Sequence, residues 1–153
     1  MSVDDRLSDL GIELPPPSAP VASYVPVVVA GGLAFVAGQV PMEEGKPMVT
    51  GRVGDRLSTE DGARWARRCA LQALSALRSE LGSLDRVRRV AKVTVWVAST
   101  EAFTEQPKVA NGASDLLVEV FGDAGKHARA AVSAPSLPLG VPVEVEVIAE
   151  VSG

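Results

Sequence analysis

Cysteine and histidine each occur once in this sequence, and their scarcity excludes several kinds of site. A single cysteine cannot form an internal disulfide, and Cys69 lies in a predicted helix, so we expect a reducing, cytoplasmic location. A small buried side chain is the favoured interpretation of Cys69. Cys69 and His127 alone cannot make a zinc site, and no carboxylates cluster at metal-ligand spacing. We therefore predict neither a metal nor a cofactor.

Motifs that bind nucleotides or carry a nucleophile are also absent. The sequence contains no G-x-G-x-x-G, no P-loop and no nucleophile elbow, so dinucleotide and nucleoside triphosphate binding have no support. The net charge of −4 argues against a nucleic-acid partner held on a basic surface.

Membrane association is not expected either. Asp4 and Asp5 precede any apolar stretch, unlike the basic start of a secretion signal. Residues 14–42 carry no charge, but prolines and glycines interrupt them repeatedly, and a lipid-exposed backbone there could not satisfy its polar groups. Strands of a soluble domain explain this stretch better.

Residue periodicity divides the chain into an arm and one α+β domain. Residues 1–20 form the arm, in which Ser2 is suited to cap a short helix and a proline-rich extended segment follows. Residues 21–153 form the domain. Its predicted elements are strands at 22–30 and 33–37, a helix at 58–81, a strand at 87–98, a helix that begins at about 104 or 109 and ends at 121, and strands at 128–132 and 141–148. We expect two helices packed on one face of a mostly antiparallel sheet.

Local signals support these boundaries. Gly31-Gly32 predicts a tight hairpin between the first two strands. Ser58 and Asp61 have the spacing of a capping box at the start of the first long helix. Asn111-Gly112 is unfavourable inside a helix, so either the second helix starts after this pair or the pair is kept for a local reason.

The last two strands carry the side chains best suited to chemistry. Residues 141–148 alternate valine with glutamate, as a strand with one buried face does. A hairpin turn centred between Ser136 and Leu137 would place Arg129 directly across from Glu144 on one face. Arginine can fork a carboxylate and glutamate can orient or deprotonate water. A surface salt bridge is the alternative, and spacing alone favours it.

The first two strands are apolar on both faces, although the two predicted helices cover only one face of the sheet. A second apolar face requires a partner. Another copy of the chain is the simplest partner, and a symmetric ring would turn this face inward.

The sequence resembles the RidA (YjgF) family of small trimeric imine deaminases over residues 19–151. The shared residues are Tyr24, Gly38-Gln39-Val40-Pro41, Asn111, Ala128-Arg129-x-x-Val132, and Leu137-Pro138-x-x-Val141-x-Val143-Glu144-Val145-Glu146. The resemblance implies a chorismate-mutase-like α+β subunit and a homotrimer with pockets between neighbouring subunits. It implies cofactor-independent hydrolysis of reactive 2-imino acids, or their enamine tautomers, to 2-keto acids and ammonia. It also implies that Arg129 binds the substrate carboxylate and Glu144 positions water, while Tyr24, Gly38 and Asn111 line the pocket.

Three positions depart from the family pattern. Ala37 replaces a serine before Gly38, His127 replaces a proline two residues before Arg129, and Ala131 replaces a common cysteine, so pocket polarity is altered. The arm resembles that of a less characterised branch of the family. The alternative functions are a trimer that binds small carboxylates without turnover and, from older family labels, an endoribonuclease or translation inhibitor. An acidic chain with one histidine makes the ribonuclease the weaker alternative.

Overall fold

The computed structural model describes residues 1–19 and 22–153. Its helices and strands are α1 (Val3–Asp9), β1 (Val27–Ala30), β2 (Leu33–Gln39), β3 (Met42–Glu43), β4 (Lys46–Pro47), α2 (Thr59–Leu81), β5 (Val87–Ala98), α3 (Gln106–Phe121), β6 (Ala128–Ala134) and β7 (Val143–Val151). This is the predicted α+β class, and β5 has the predicted bounds.

Five strands form one mixed sheet in the order β1-β2-β7-β5-β6, and β3 and β4 form a separate small ribbon. Neighbouring strands of the main sheet are antiparallel except β5 and β6, which run parallel. Helices α2 and α3 pack on one face, where they bury alternate residues such as Val93 and Val147. The prediction of two helices on one face of a mostly antiparallel sheet is therefore confirmed.

The predicted C-terminal hairpin is wrong. Strand β5 lies between β6 and β7, so the last two strands do not pair with each other. Arg129 is opposite Val93 on β5, and Glu144 is opposite Trp96 on the same strand. Since Val93 and Trp96 are an odd number of residues apart, Arg129 and Glu144 lie on opposite faces of the sheet. The prolines and glycine between the strands mark a connection that passes the end of β5 rather than a tight turn.

Helix α2 begins and ends at the predicted signals. Ser58 and Asp61 form a reciprocal capping box, and Gly82 ends the helix with φ of 80°. Cys69, on the buried face, is fully inaccessible, and burial raises the pKa of its thiol. The interpretation of Cys69 as a buried hydrophobic side chain is confirmed. Among the described residues, no helix is long and apolar enough to cross a membrane.

Helix α3 contains Asn111-Gly112, and the structure gives the local reason. A Cβ at Gly112 would lie 1.9 Å from the carbonyl oxygen of Ala63 on α2, so only glycine permits this helix crossing. Asn111, one residue earlier, points toward β6 and bonds to Arg129. The poor helix propensity of the pair is outweighed by these two contacts.

The arm packs on the helices. Leu7 of α1 is only 4% exposed and joins the main core. Arg6 Nε donates to the carbonyl oxygen of Glu119 on α3 at 2.9 Å, and Ser75 Oγ of α2 donates to the carbonyl oxygen of Pro15. The predicted boundary between arm and domain falls at Pro20 and Val21, which lie outside the described residues.

The face of the sheet opposite the helices is open in the single chain. Val28 and Phe35 are paired on β1 and β2 and are 50% and 41% exposed. Trp96 and Val132 are paired on β5 and β6, and each is 37% exposed. This surface, called here the open apolar face, is the second apolar face that the sequence predicts.

Candidate functional site

Arg129 lies on β6, the edge strand, with its side chain toward helix α3. Its Nη1 donates to Asn111 Oδ1 at 2.8 Å and to Ser114 Oγ at 3.2 Å. Asn111 and Ser114 are three residues apart on α3 and therefore share a helix face. The structure thus joins two predicted site residues, Arg129 and Asn111, and adds Ser114.

His127 extends the cluster behind Arg129. Its Nε2 is 2.9 Å from Ser114 Oγ, and its Nδ1 is 2.6 Å from the carbonyl oxygen of Gly125. Ser114 Oγ thus contacts both His127 and Arg129, which are two residues apart along the chain. We call Asn111, Ser114, His127 and Arg129 the arginine cluster.

Glu144 lies on β7 against Gly38 of β2. A Cβ at Gly38 would be 2.1 Å from Glu144 Oε2, so the absence of a side chain there makes room for the carboxylate. The register of β2 and β7 shifts between Val36 and Gln39, and this β-bulge contains Gly38. Two further predicted site residues, Gly38 and Glu144, are therefore in contact.

The surroundings of Glu144 favour its protonated form. Partial burial raises the pKa of the Glu144 carboxyl, and the negative charge of nearby Glu146 raises that pKa further. Glu146 is itself held by Trp96, whose indole Nε1 donates to Glu146 Oε1 at 3.1 Å. A carboxyl group with a raised pKa is better able to exchange a proton near neutral pH.

The segment after Gly38 is anchored to helix α2 by buried polar contacts. Gln72 Nε2 donates to the carbonyl oxygen of Val40 at 2.7 Å, and Gln72 Oε1 accepts from the backbone N–H of Met42 at 3.1 Å. Arg68 Nη2 donates to the carbonyl oxygen of Met42 at 2.9 Å. These bonds fix the segment that follows Gly38 against α2.

The remaining predicted positions stand apart from both groups. Tyr24 precedes β1 and is 53% exposed, and its hydroxyl bonds to none of the described residues. Ala131, two residues after Arg129, is half-buried against the core, and Ala37 accepts a bond from Gln39 through its backbone oxygen. Neither alanine adds a polar side chain.

Within one chain the predicted site is divided. The arginine cluster lies at the β6 edge on the helix side, and the Gly38–Glu144 pair lies two strands away on the other face. One small substrate cannot contact Arg129 and Glu144 of the same chain in this arrangement.

Sequence reasoning missed Ser114. The available signal was its position three residues after Asn111 in a predicted helix, which puts both side chains on one face. The same reasoning requires that the helix include Asn111, and Asn111-Gly112 had left that point open.

Comparisons with known proteins agree with this fold. Residues 4–151 match the family model described as "YjgF/chorismate_mutase-like, putative endoribonuclease". The protein TCP17 of Trypanosoma cruzi is 46% identical over 148 residues, which cover 96% of this chain and 92% of that protein.

Two solved structures are similar along nearly their whole length. The protein Atu1372 of Agrobacterium tumefaciens, described as of unknown function, is 42% identical with a TM-score of 0.88, and the match covers 98% of this chain and 92% of that one. A protein of Shewanella oneidensis described as a putative endoribonuclease is 31% identical with a TM-score of 0.93, and the match covers 99% of this chain and all of that one. Because the family model matches residues 4–151 and TCP17 is 46% identical over 96% of this chain, the chain belongs to the YjgF/chorismate-mutase-like family.

Proposed function

We propose that this protein is a homotrimeric, cofactor-independent hydrolase that converts reactive 2-imino acids, or their enamine tautomers, to 2-keto acids and ammonia. The observation that carries the proposal is the division of one chain into two complementary half-sites. One half-site offers a guanidinium to a carboxylate, and the other offers a partly buried carboxyl group beside a glycine.

Assembly of copies brings the two half-sites together in this proposal. The open apolar face needs a partner, and β6 is an edge strand that carries Arg129 to the boundary of the subunit. Arg129 and Asn111 of one subunit then face Gly38 and Glu144 of its neighbour across a shared pocket. Tyr24, exposed before β1, is the further residue that we assign to this pocket.

The reaction divides between the half-sites. Arg129 binds the substrate carboxylate through two parallel N–H···O bonds and so fixes the imine carbon. Glu144 accepts a proton from water as the water oxygen adds to the carbon of the protonated imine, giving a neutral tetrahedral carbinolamine. The same carboxyl group then returns the proton to the amine nitrogen. The carbon–nitrogen bond breaks, ammonia departs, and the hydroxyl oxygen becomes the keto group as the Glu144 carboxylate takes its proton. Ammonia carries that proton away as ammonium, which restores the carboxylate.

The testing experiment follows release of keto acid from freshly generated 2-iminobutanoate. We expect the assembled wild-type protein to accelerate hydrolysis over buffer. Arg129→Lys should not accelerate hydrolysis, because an ammonium group retains the charge but lacks the planar fork that binds a carboxylate. Glu144→Gln should keep carboxylate binding and lose turnover, since an amide holds hydrogen bonds and activates water poorly.

The possible outcomes separate the candidate functions. Full activity of Arg129→Lys in an intact assembly would exclude a bidentate anchor. Binding of 2-oxobutanoate with no acceleration by the wild type would indicate a carboxylate-binding trimer without turnover. Equal behaviour of wild type and Arg129→Ala in both assays would reduce Arg129 to a structural side chain.

A further inference from the structure

The hydrogen-bond directions in the arginine cluster follow from one fixed acceptor. The carbonyl oxygen of Gly125 can only accept, so the proton of the neutral imidazole lies on His127 Nδ1. His127 Nε2 must then accept, and the hydroxyl of Ser114 donates to it. The hydroxyl proton of Ser114 is therefore used in the hydrogen bond to His127. Ser114 Oγ presents only lone pairs to Arg129, which matches the bond that Arg129 Nη1 donates.

The two acceptors hold one edge of the Arg129 guanidinium. Nη1 donates to both Asn111 and Ser114, whereas Nε and Nη2 have no hydrogen-bond partner among residues 1–19 and 22–153. Nε and Nη2 form a planar fork that matches the two oxygens of a carboxylate. A long arginine side chain on an exposed edge strand loses much rotamer freedom when a ligand orders it. The cluster removes that freedom before a ligand arrives.

We propose that Ser114 and His127 are positioning residues for Arg129: His127 fixes the hydroxyl of Ser114, and Ser114 with Asn111 holds Nη1 so that Nε and Nη2 receive the ligand carboxylate. Ser114 and His127 act through Arg129 rather than on the ligand. The inference rests on the proposed function for the class of ligand, a small 2-keto or 2-imino carboxylate. The hydrogen-bond chain itself is independent of turnover.

His127 contacts Ser114, and Ser114 contacts Arg129, so the effects of the two residues on ligand affinity should be linked. We expect calorimetric titration of 2-oxobutanoate into the assembled protein to show about tenfold weaker binding for Ser114→Ala and for His127→Ala. The double variant should bind no more weakly than either single variant, because His127 acts through Ser114. Ser114→Thr, which keeps a hydroxyl group, should restore most of the affinity.

Ser133→Ala is the matched control. Ser133 lies on the same strand as Arg129, and its hydroxyl bonds to Ser99 at 2.7 Å, outside the arginine cluster. Its removal should leave affinity unchanged. Ser114→Ala places a good helix former in α3, so loss of folding is not expected to cause its phenotype.

Nitrogen NMR supplies a measurement that would not change if Ser114 and His127 had only a general structural role. His127 is the only histidine in the sequence, so its imidazole signals need no further assignment. We expect the Nδ1-protonated tautomer in the wild type, and we expect Ser114→Ala to shift the Nε2 signal. If turnover occurs, Ser114→Ala should raise KM and leave kcat nearly unchanged.

Four results would overturn the inference. These are unchanged affinity in Ser114→Ala and His127→Ala, additive losses in the double variant, an Nε2-protonated tautomer in the wild type, and no binding of 2-oxobutanoate by the wild type. If the wild type binds 2-oxobutanoate with the expected variant pattern but hydrolyses no imine, the proposed deamination fails and the positioning role stands.

Discussion

Gly38 and Glu144 are in such close contact that a single methyl group on Gly38 would occupy the position of the Glu144 carboxylate, 2.1 Å from Oε2. The displaced atoms belong to the end of a flexible side chain. The contact therefore controls where the carboxylate lies rather than whether β2 and β7 pair.

Gly38→Ala should separate catalysis from stability. We expect the variant to retain its free energy of unfolding within about 1 kcal/mol, because the Glu144 side chain can rotate away. Imine turnover should fall by on the order of a hundredfold, because the carboxylate no longer lies where water is activated. Parallel urea unfolding and keto acid release would check both parts. Undiminished turnover would show that the position of Glu144 does not limit the reaction.

Gly112→Ala, in contrast to Gly38→Ala, should lower the free energy of unfolding. The atom that a new Cβ meets, 1.9 Å away, is the backbone oxygen of Ala63, which can move only if the α2–α3 crossing opens. We expect a loss of about 1 to 3 kcal/mol in urea unfolding, despite the better helix propensity of alanine. Wild type and variant should be compared at equal protein concentration. Unchanged or increased stability would contradict the close crossing.

Glu144→Gln should make the stability of the protein less sensitive to pH. The folded-state pKa of Glu144 is raised above its ordinary value of 4.5, so between the two pKa values the folded state binds more protons than the unfolded state. Ionisation of Glu144 thus reduces stability as pH rises through this window, and the reduction persists above it. We expect Glu144→Gln to be more stable than wild type at pH 7, with the difference vanishing below about pH 4. A variant less stable than wild type at pH 7 would contradict this sign.

Deletion of residues 1–18 should lower the free energy of unfolding and leave ligand binding intact. The deletion removes Leu7 from the core and uncovers part of α2 and α3, so we expect a loss of at least about 2 kcal/mol. Binding of 2-oxobutanoate should persist, because the arm contacts neither Arg129 nor Glu144 through any hydrogen bond of the described residues. Lost binding in a truncated protein that still assembles would assign the arm to the site.

Phe35→Glu should impair self-association. Phe35 is 41% exposed on the open apolar face, and burying an unpaired carboxylate there in an assembly is costly. We expect sedimentation velocity to show a trimer for the wild type and smaller species for Phe35→Glu. Leu10→Glu is the matched control, because Leu10 is 38% exposed but lies on the arm. A wild-type monomer at micromolar concentration would exclude the proposed trimer.

Local features of this fold could be predicted from sequence because their causes are local. The N-cap at Ser2, the capping box at Ser58 and the hairpin at Gly31-Gly32 each depend on residues within a few positions of one another. The exposed second face of β1 and β2 also followed from their composition. These signals need no knowledge of which strands become neighbours.

Strand order could not be predicted in the same way. The alternation in β7 identifies a strand with one buried face, but it does not specify whether β6 or β5 pairs with it. Because β5 lies between β6 and β7, Arg129 and Glu144 are separated and do not form the predicted cross-strand pair. The contact of Asn111 with Arg129 likewise depends on how α3 crosses the sheet, which no nearby residue specifies.

The position of Asn111 before Gly112 links the chemical ageing of the protein to its folding. Asparagine is thermolabile, and a following glycine leaves the amide open to attack by the next backbone nitrogen when the chain is flexible. Within α3 the backbone is held in the helix, so the side chain is protected while the protein is folded. Deamidation of the unfolded chain by this route passes through a succinimide, which hydrolyses to aspartate or isoaspartate. A chain that carries the aspartate would refold with a carboxylate beside Arg129. That carboxylate would pair with the guanidinium and compete with the ligand. Deamidation during thermal unfolding would therefore change the arginine cluster irreversibly.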